Sequence, residues 1–281
     1  MTTNQHYVPQ FIVKNFATDK DKKKVTVFNK KYNKYEIKSI SHFPSEKNFY
    51  DVYNKDGSFY DKDEIEKSLS RLENEISRRV SKLLSFYSVF STNANMDMDI
   101  CASLHMLLTL QTLRTKDLWD GISKLCENDK DTFNAIKETF FINAKSGENY
   151  MKHNKIHCSN DTKKALKGIV TLDDFLLRNA TKFLPYCVVA PTGFSFMCSD
   201  NPVINTNFKG VHAVFPISPK VAICFCPKER ADREGFYGRL CKCSPILVED
   251  INKKIFEKGK VIIYNNENLP QLNELIKKTE N

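Results

Sequence analysis

Apolar positions repeat at helical spacing in two long stretches of this chain and gather into short runs elsewhere. Between Asp63 and Tyr87, Ile65, Leu69, Leu72, Ile76, Val80 and Leu83 fall on one face, which predicts a long amphipathic helix. Asp99 to about Leu125 reads as a second long helix, with Leu104, Leu108 and Leu118 in its stripe. Val8 to Ala17 predicts a short helix with Pro9 in its first turn, and Asp131–Ala144 and Leu172–Phe183 predict two more. Val25 and Val27 alternate with Thr26 and Phe28, and Tyr35 and Ile37 continue beyond Lys30–Asn33, so Lys24–Ile40 reads as a β-hairpin. Asp56-Gly57 marks a further turn.

After Pro185 the pattern changes to strands. Tyr186–Ala190, a turn at Pro191-Thr192-Gly193 and a returning strand Phe194–Cys198 predict a second hairpin. Val211–Phe215, Val221–Cys226 and Val261–Tyr264 predict further strands. Leu247–Lys258 reads as a helix stopped by Gly259, and Pro270 opens a terminal helix to about Lys278. Helices followed by strands give an α+β class: a helical N-terminal and middle part with an early β-hairpin, packed on a mostly antiparallel C-terminal sheet. The polar stretch Ser146–Lys164 reads as a loop and as the one soft boundary. The early hairpin is expected to join or flank the later sheet, which favours a single domain over residues 1–281.

Composition narrows the class. The chain has 281 residues, 41% hydrophobic and 27% charged, enough for a sizeable core without a disulfide or metal staple. No stretch approaches the roughly 20 apolar residues of a membrane helix, and the first residues carry no apolar signal core, so a cytoplasmic location is expected. Nine cysteines, an odd number without a secretory framework, fit reduced and buried thiols. Net charge is +9, which favours acidic partners such as nucleic acid. Only eight of the 43 basic residues are arginines, and an AT-rich codon bias would give the same lysine excess.

Several polar residues stand where core residues are expected. His6, just ahead of the proline-started helix, titrates near neutrality and suits acid–base work, or else hydrogen-bonds under the hairpin. Glu73 sits on the apolar stripe of the first long helix, with Glu66 two turns earlier on the same face, and needs a buried partner. Gln111 and Thr115 replace leucines in the second long helix, and Arg114 beside them can pair with Glu73 or hold an anion. Asp200 and Asn201 end the Phe194–Cys198 strand, in a sequence that also suits an Asx turn. Lys30, Lys31 and Tyr32 at the hairpin turn interleave cations with an aromatic, as nucleic-acid surfaces do, although a lysine-coated sheet edge has the same pattern. Cys224, Cys226, Cys241 and Cys243 read as zinc thiolates or as core residues sharing a strand face. His153, His157 and Cys158 have metal-like spacing but lie in the polar stretch. No phosphate-binding loop, dinucleotide fingerprint, nucleophile elbow or zincin motif is present, and nine glycines leave little room for glycine-rich cofactor loops.

His6-Tyr7-Val8-Pro9-Gln10-Phe11 with Asn15-Phe16, Gln111…Arg114-Thr115, Ser199-Asp200-Asn201-Pro202 and Phe215-Pro216-Ile217-Ser218-Pro219 resemble the bacterial family catalogued as domain of unknown function 4238. The resemblance spans nearly the whole chain and carries no established reaction. It implies that His6, Glu73, Gln111, Arg114, Asp200 and Asn201 form one recurring set. The family pattern has a proline after the Arg-Thr pair; Lys116 stands there instead, which implies a helix running on where relatives kink.

Two functions follow as expectations. The first is a nuclease or phosphodiesterase acting on nucleic acid, metal-independent or metal-assisted, with a place in phage defence or bacterial conflict. His6 would be its acid or base, Glu73 its orienter and Arg114 its phosphate clamp. Asp200 and Asn201 would orient the nucleophile, or Asp200 would bind a divalent metal. The second is a non-enzymatic sensor or binding subunit of a larger defence assembly, or a homo-oligomer, in which the same residues are a buried network.

Overall fold

The computed structural model describes residues 4–89, 95–127, 129–156, 171–205 and 211–280. The chain opens with β1 (Asn4–His6) and α1 (Gln10–Lys14), shorter than the Val8–Ala17 helix expected. The predicted hairpin follows as β2 (Lys24–Asn29) and β3 (Lys34–Ser39). The Asn29 side chain accepts from the Lys31 amide at 3.1 Å, and Asn33 takes a left-handed φ of 48°, which closes the turn. Then come β4 (Ser45–Lys47) and the small pair β5 (Val52–Tyr53) and β6 (Phe59–Asp61) around Gly57.

Helix α2 (Glu64–Val89) buries Ile65, Leu69, Ile76, Val80 and Leu83 against α3 (Met98–Leu113). α3 is apolar nearly all round because it is covered on both sides, by α2 and by the large sheet. The expected single helix Asp99–Leu125 is two. Arg114 leaves helical geometry at φ −97°, ψ 2°, Thr115 is extended, and α4 (Lys116–Leu125) starts in a new direction. The freed Leu113 carbonyl is capped by the Trp119 indole N–H at 2.9 Å. Lys116 therefore does not carry the helix onward. It is the first residue of α4, where its ammonium bridges Glu46 at 2.7 Å and Asp120 at 2.8 Å.

α5 (Lys130–Phe141) forms as expected, but part of the anticipated loop Ser146–Lys164 lies in helix α6 (Ala144–His153). Asn143 caps α6 by accepting from the Ser146 amide at 2.9 Å. Residues 157–164 of that stretch, with His157 and Cys158, lie outside the described residues. After α7 (Leu172–Lys182) come β7 (Phe183–Val189), β8 (Cys198–Ser199), β9 (Ile204–Asn205), β10 (Ala213–Pro216) and β11 (Val221–Pro227). Then follow α8 (Lys228–Glu234) and β12 (Leu240–Lys242), both unforeseen, α9 (Pro245–Lys258), β13 (Val261–Ile263) and α10 (Leu269–Glu280).

The fold is α+β. The large sheet runs β12-β7-β11-β10-β9, antiparallel except for the β12–β7 pair. β7 and β11 are buried along nearly their whole lengths because helices cover both faces: α3 on one, α8 and α9 on the other. A second antiparallel sheet runs β3-β2-β13-β8, so the early hairpin does join a late strand. The hairpin expected between 186–190 and 194–198 does not form. The Phe196 amide donates to Pro219 O at 2.8 Å and the Met197 amide to Asn252 Oδ1 at 2.7 Å, so this segment passes to the second sheet and pairs with β13.

Candidate functional site

β1 pairs with β4 through Asn4–Lys47, Gln5–Glu46 and His6–Ser45. The strand ends at His6, three residues ahead of Pro9, and the carbonyls of residues 6 and 7 take side-chain donors. α3 supplies them from two residues one turn apart. Gln111 Nε2 donates to Tyr7 O at 2.9 Å, and an Arg114 terminal nitrogen donates to His6 O at 2.5 Å. Arg114 Nε donates to the Tyr50 hydroxyl at 2.9 Å, and its other terminal nitrogen pairs with Glu73 Oε1. Arg114 is 1% exposed, and each of its three side-chain nitrogens donates a hydrogen bond. Gln5 locks the neighbouring turn, donating to Asp51 Oδ1 at 2.6 Å and accepting from the Tyr50 amide at 2.5 Å.

Beside this buried network a groove of about 290 Å³ opens between α1 and α2. His6, Glu66 and Glu73 line its floor, with Gln10 and Lys14 on the α1 side and Ser70, Asn74 and Ser77 on the α2 side. His6 Nε2 lies 3.2 Å from Ile40 O, which can only accept, so the ring proton belongs on Nε2 and Nδ1 is left as an acceptor. Gln10 Nε2 stands beside the ring, 3.3 Å from Nδ1 and 3.1 Å from Nε2. Burial pushes the imidazole pKa down, against the opposing pull of the Ile40 carbonyl and Glu73. Burial pushes Glu66 the other way, up to about 7; Arg114 and the His6 main-chain N–H oppose the rise and Glu73 adds to it. Glu66 Oε2 is buried without a hydrogen-bond partner. The usual order of a carboxyl and an imidazole is thus brought close to reversal within one groove.

Of the six residues expected together, His6, Glu73, Gln111 and Arg114 assemble here. Asp200 and Asn201 do not line the groove. Asp200 Oδ1 accepts from the amides of Lys260 at 2.9 Å and Val261 at 3.1 Å, which fastens the turn after β8 to the start of β13. Asn201 Nδ2 donates to Asp117 Oδ2 at 2.8 Å, and Lys260 Nζ holds the other Asp117 oxygen at 2.7 Å. Tyr7 links the two clusters: its phenol pKa is raised first by burial and then by Asp200, Glu46, Asp120 and Asp117, while its carbonyl belongs to the Gln111 contact.

Lys30 also has a structural partner. It caps the end of α9 at Phe256 O (2.7 Å) and stands over the Phe256 ring. Lys31 lies over the Tyr32 ring, and Tyr32 is exposed at the hairpin tip; neither lines the groove. Among the described residues no three His, Cys, Asp or Glu side chains group so as to hold a metal ion, so neither Asp200 nor the four cysteines gain companion ligands. Cys224, Cys226 and Cys243 instead pack in the core between the sheet, α8 and α9. His153 packs on Tyr60. Sequence reasoning passed over Glu66 as a site residue, although its position seven before Glu73 places both on one helix side. It also missed Tyr50 and Gln10, whose roles depend on tertiary contacts.

No curated protein and no solved structure matches the chain. The family model of proteins of unknown function DUF4238 matches residues 4–268. With nearly its whole length matched, the chain belongs to the DUF4238 family.

Proposed function

We propose that the protein hydrolyses phosphodiester bonds of nucleic acid by acid–base catalysis between His6 and Glu66. The observation that carries this reading is the nearly reversed proton order in one open groove: an imidazole held neutral beside a carboxyl held up to about 7. His6 Nδ1 takes a proton from the attacking water as its oxygen bonds to phosphorus. The bond from phosphorus to the leaving sugar oxygen breaks, and Glu66 gives that oxygen its proton. Exchange with solvent then resets both groups.

An anion can enter this groove despite two glutamates. Glu73 is neutralised by Arg114, Glu66 is about half protonated near neutrality, and Lys14 stands exposed on the wall. Arg114 has no role in holding phosphate in this reading; it positions His6 through the main chain and Glu73 through its carboxylate. The net charge of +9 favours a polyanionic substrate.

The test is incubation with labelled RNA and DNA, with and without EDTA, comparing wild type with Glu66→Gln. Cutting that survives EDTA and falls at least about 100-fold in the variant supports the reading, since one acid–base group contributes about that much. The rate should follow a narrow bell in pH, rising as His6 loses its proton below 6.5 and falling as Glu66 loses its own near 7. One observation favours a second reading, a binding module: all three Arg114 side-chain nitrogens are engaged inside the protein, as in a purely structural network. Absence of cutting on every substrate would favour that module.

A further inference from the structure

The groove has a neighbour that the acid–base chemistry does not use. At about 3.6 residues per turn, α2 divides into three faces. Ile65, Leu69, Ile76, Val80 and Leu83 are buried. Glu66, Ser70, Glu73 and Ser77 turn to the groove. Lys67, Arg71, Asn74, Arg78 and Lys82 step four, three, four and four along the outer crest, and all five are exposed. The crest is therefore a line of four cations and one amide bordering the groove, with Asn74 shared by both.

Those charges are available. Arg78 makes no ion pair among the described residues, and the Arg71 side chain is held only by a 3.4 Å bond from Nε to Lys67 O. Lys67 pairs with Glu64 and Lys82 with Asp97, but both pairs are largely exposed. Such pairs contribute little and exchange readily for another anion. Across the groove, Lys14 is exposed on α1. From Lys67 to Lys82 the crest is about 22 Å long, a span suited to a few nucleotides. It carries no apolar side chain, so it lacks the face that a membrane-lying helix needs.

We propose that a single-stranded polynucleotide lies along the crest of α2, its phosphates on Lys67, Arg71, Arg78 and Lys82, with one nucleotide turned into the groove towards His6. A single strand is assigned because a groove of about 290 Å³ admits one nucleotide, which a duplex would have to unstack. The proposal rests on the hydrolase reading for the direction of that nucleotide; strand binding is measured apart from cleavage.

The test uses fluorescence anisotropy with a labelled oligo(U) of about 20 nucleotides, titrated between about 50 and 200 mM salt. The full chain carries Glu66→Gln so that the strand stays whole. Adding Arg71→Gln with Arg78→Gln is expected to weaken binding at least tenfold and to make the slope of log affinity against log salt shallower by about 1.4, about 0.7 for each lost phosphate contact. Both side chains are exposed, so the melting temperature should hold. Lys31→Gln with Lys34→Gln at the hairpin tip should leave affinity unchanged. Failure to bind the oligonucleotide, equal affinity in the Arg71/Arg78 variant, an equal loss in the tip variant or tighter binding of a duplex would each overturn the proposal. Cleavage is read separately in the parent chain. Binding through the crest without cutting contradicts the hydrolase reading alone; cutting with unchanged affinity in the Arg71/Arg78 variant contradicts the crest alone.

Discussion

Arg114 has three side-chain nitrogens, and a phenol, a carboxylate and a main-chain carbonyl each accept from one of them. Removing it would strand Glu73 and leave the His6 carbonyl unpaired in the interior. Arg114→Ala should therefore cost about 3–5 kcal/mol, read from urea unfolding of the variant and wild type. Glu66 makes a different prediction. Its carboxyl keeps a proton to about 7 in the folded chain, against 4.5 for an ordinary glutamate, so the folded state binds more protons than the unfolded state between those values. Stability tied to Glu66 is present below 4.5 and is lost as pH rises through about 7. Glu66→Gln removes that dependence, so its melting temperature relative to wild type should climb from pH 5 to pH 8. A difference that stays flat would mean that Glu66 titrates as it does in solvent. At this scale the sequence was partly legible. Glu73, Gln111 and Arg114 stood out as polar groups on apolar stripes, and the resemblance grouped them with His6. Asp200 carried the same signal for another reason: its carboxylate bonds two backbone amides, and an Asx-type contact cannot be told from a site in one dimension.

The elements that periodicity predicted are those whose packing is uniform along their length, such as α2 and the β2–β3 hairpin. The failures came where long-range contacts decide. The break at Thr115 leaves no mark in the stripe of Leu104, Leu108 and Leu118; it depends on Arg114 turning inward and Trp119 reaching back to Leu113. β1 and β4 are three residues each, too short for alternation to register. Two glycines separate packing from propensity. Gly259 has an ordinary φ of −74°, yet a Cβ there would fall 2.6 Å from Ser199 Cβ and 2.8 Å from Ile262 Cδ1. Gly259→Ala should cost about 1–3 kcal/mol as β8 and β13 are pushed apart. Gly121, inside α4, faces open space, and Gly121→Ala should stabilise by roughly 0.5–1 kcal/mol. Urea unfolding of the two variants checks both signs.

For the whole molecule, class and charge were readable from the chain, and the arrangement of its layers was not. One hydrophobic cluster runs from Tyr7 to Ile263, and β2 pairs with β13 across the length of the sequence, so the N-terminal hairpin is tied to the C-terminal sheet. No helix among the described residues is long and apolar enough to cross a membrane. The same closure places His6, at the start of the chain, over α2 and under the end of α3, and gives the groove its two perturbed groups. The most direct test is an NMR titration of the intact protein, following the Glu66 carboxyl carbon and the His6 ring. A Glu66 midpoint near 7 and a His6 midpoint below 6.5 are expected. A Glu66 midpoint near 4.5 with His6 at or above 6.5 would contradict it.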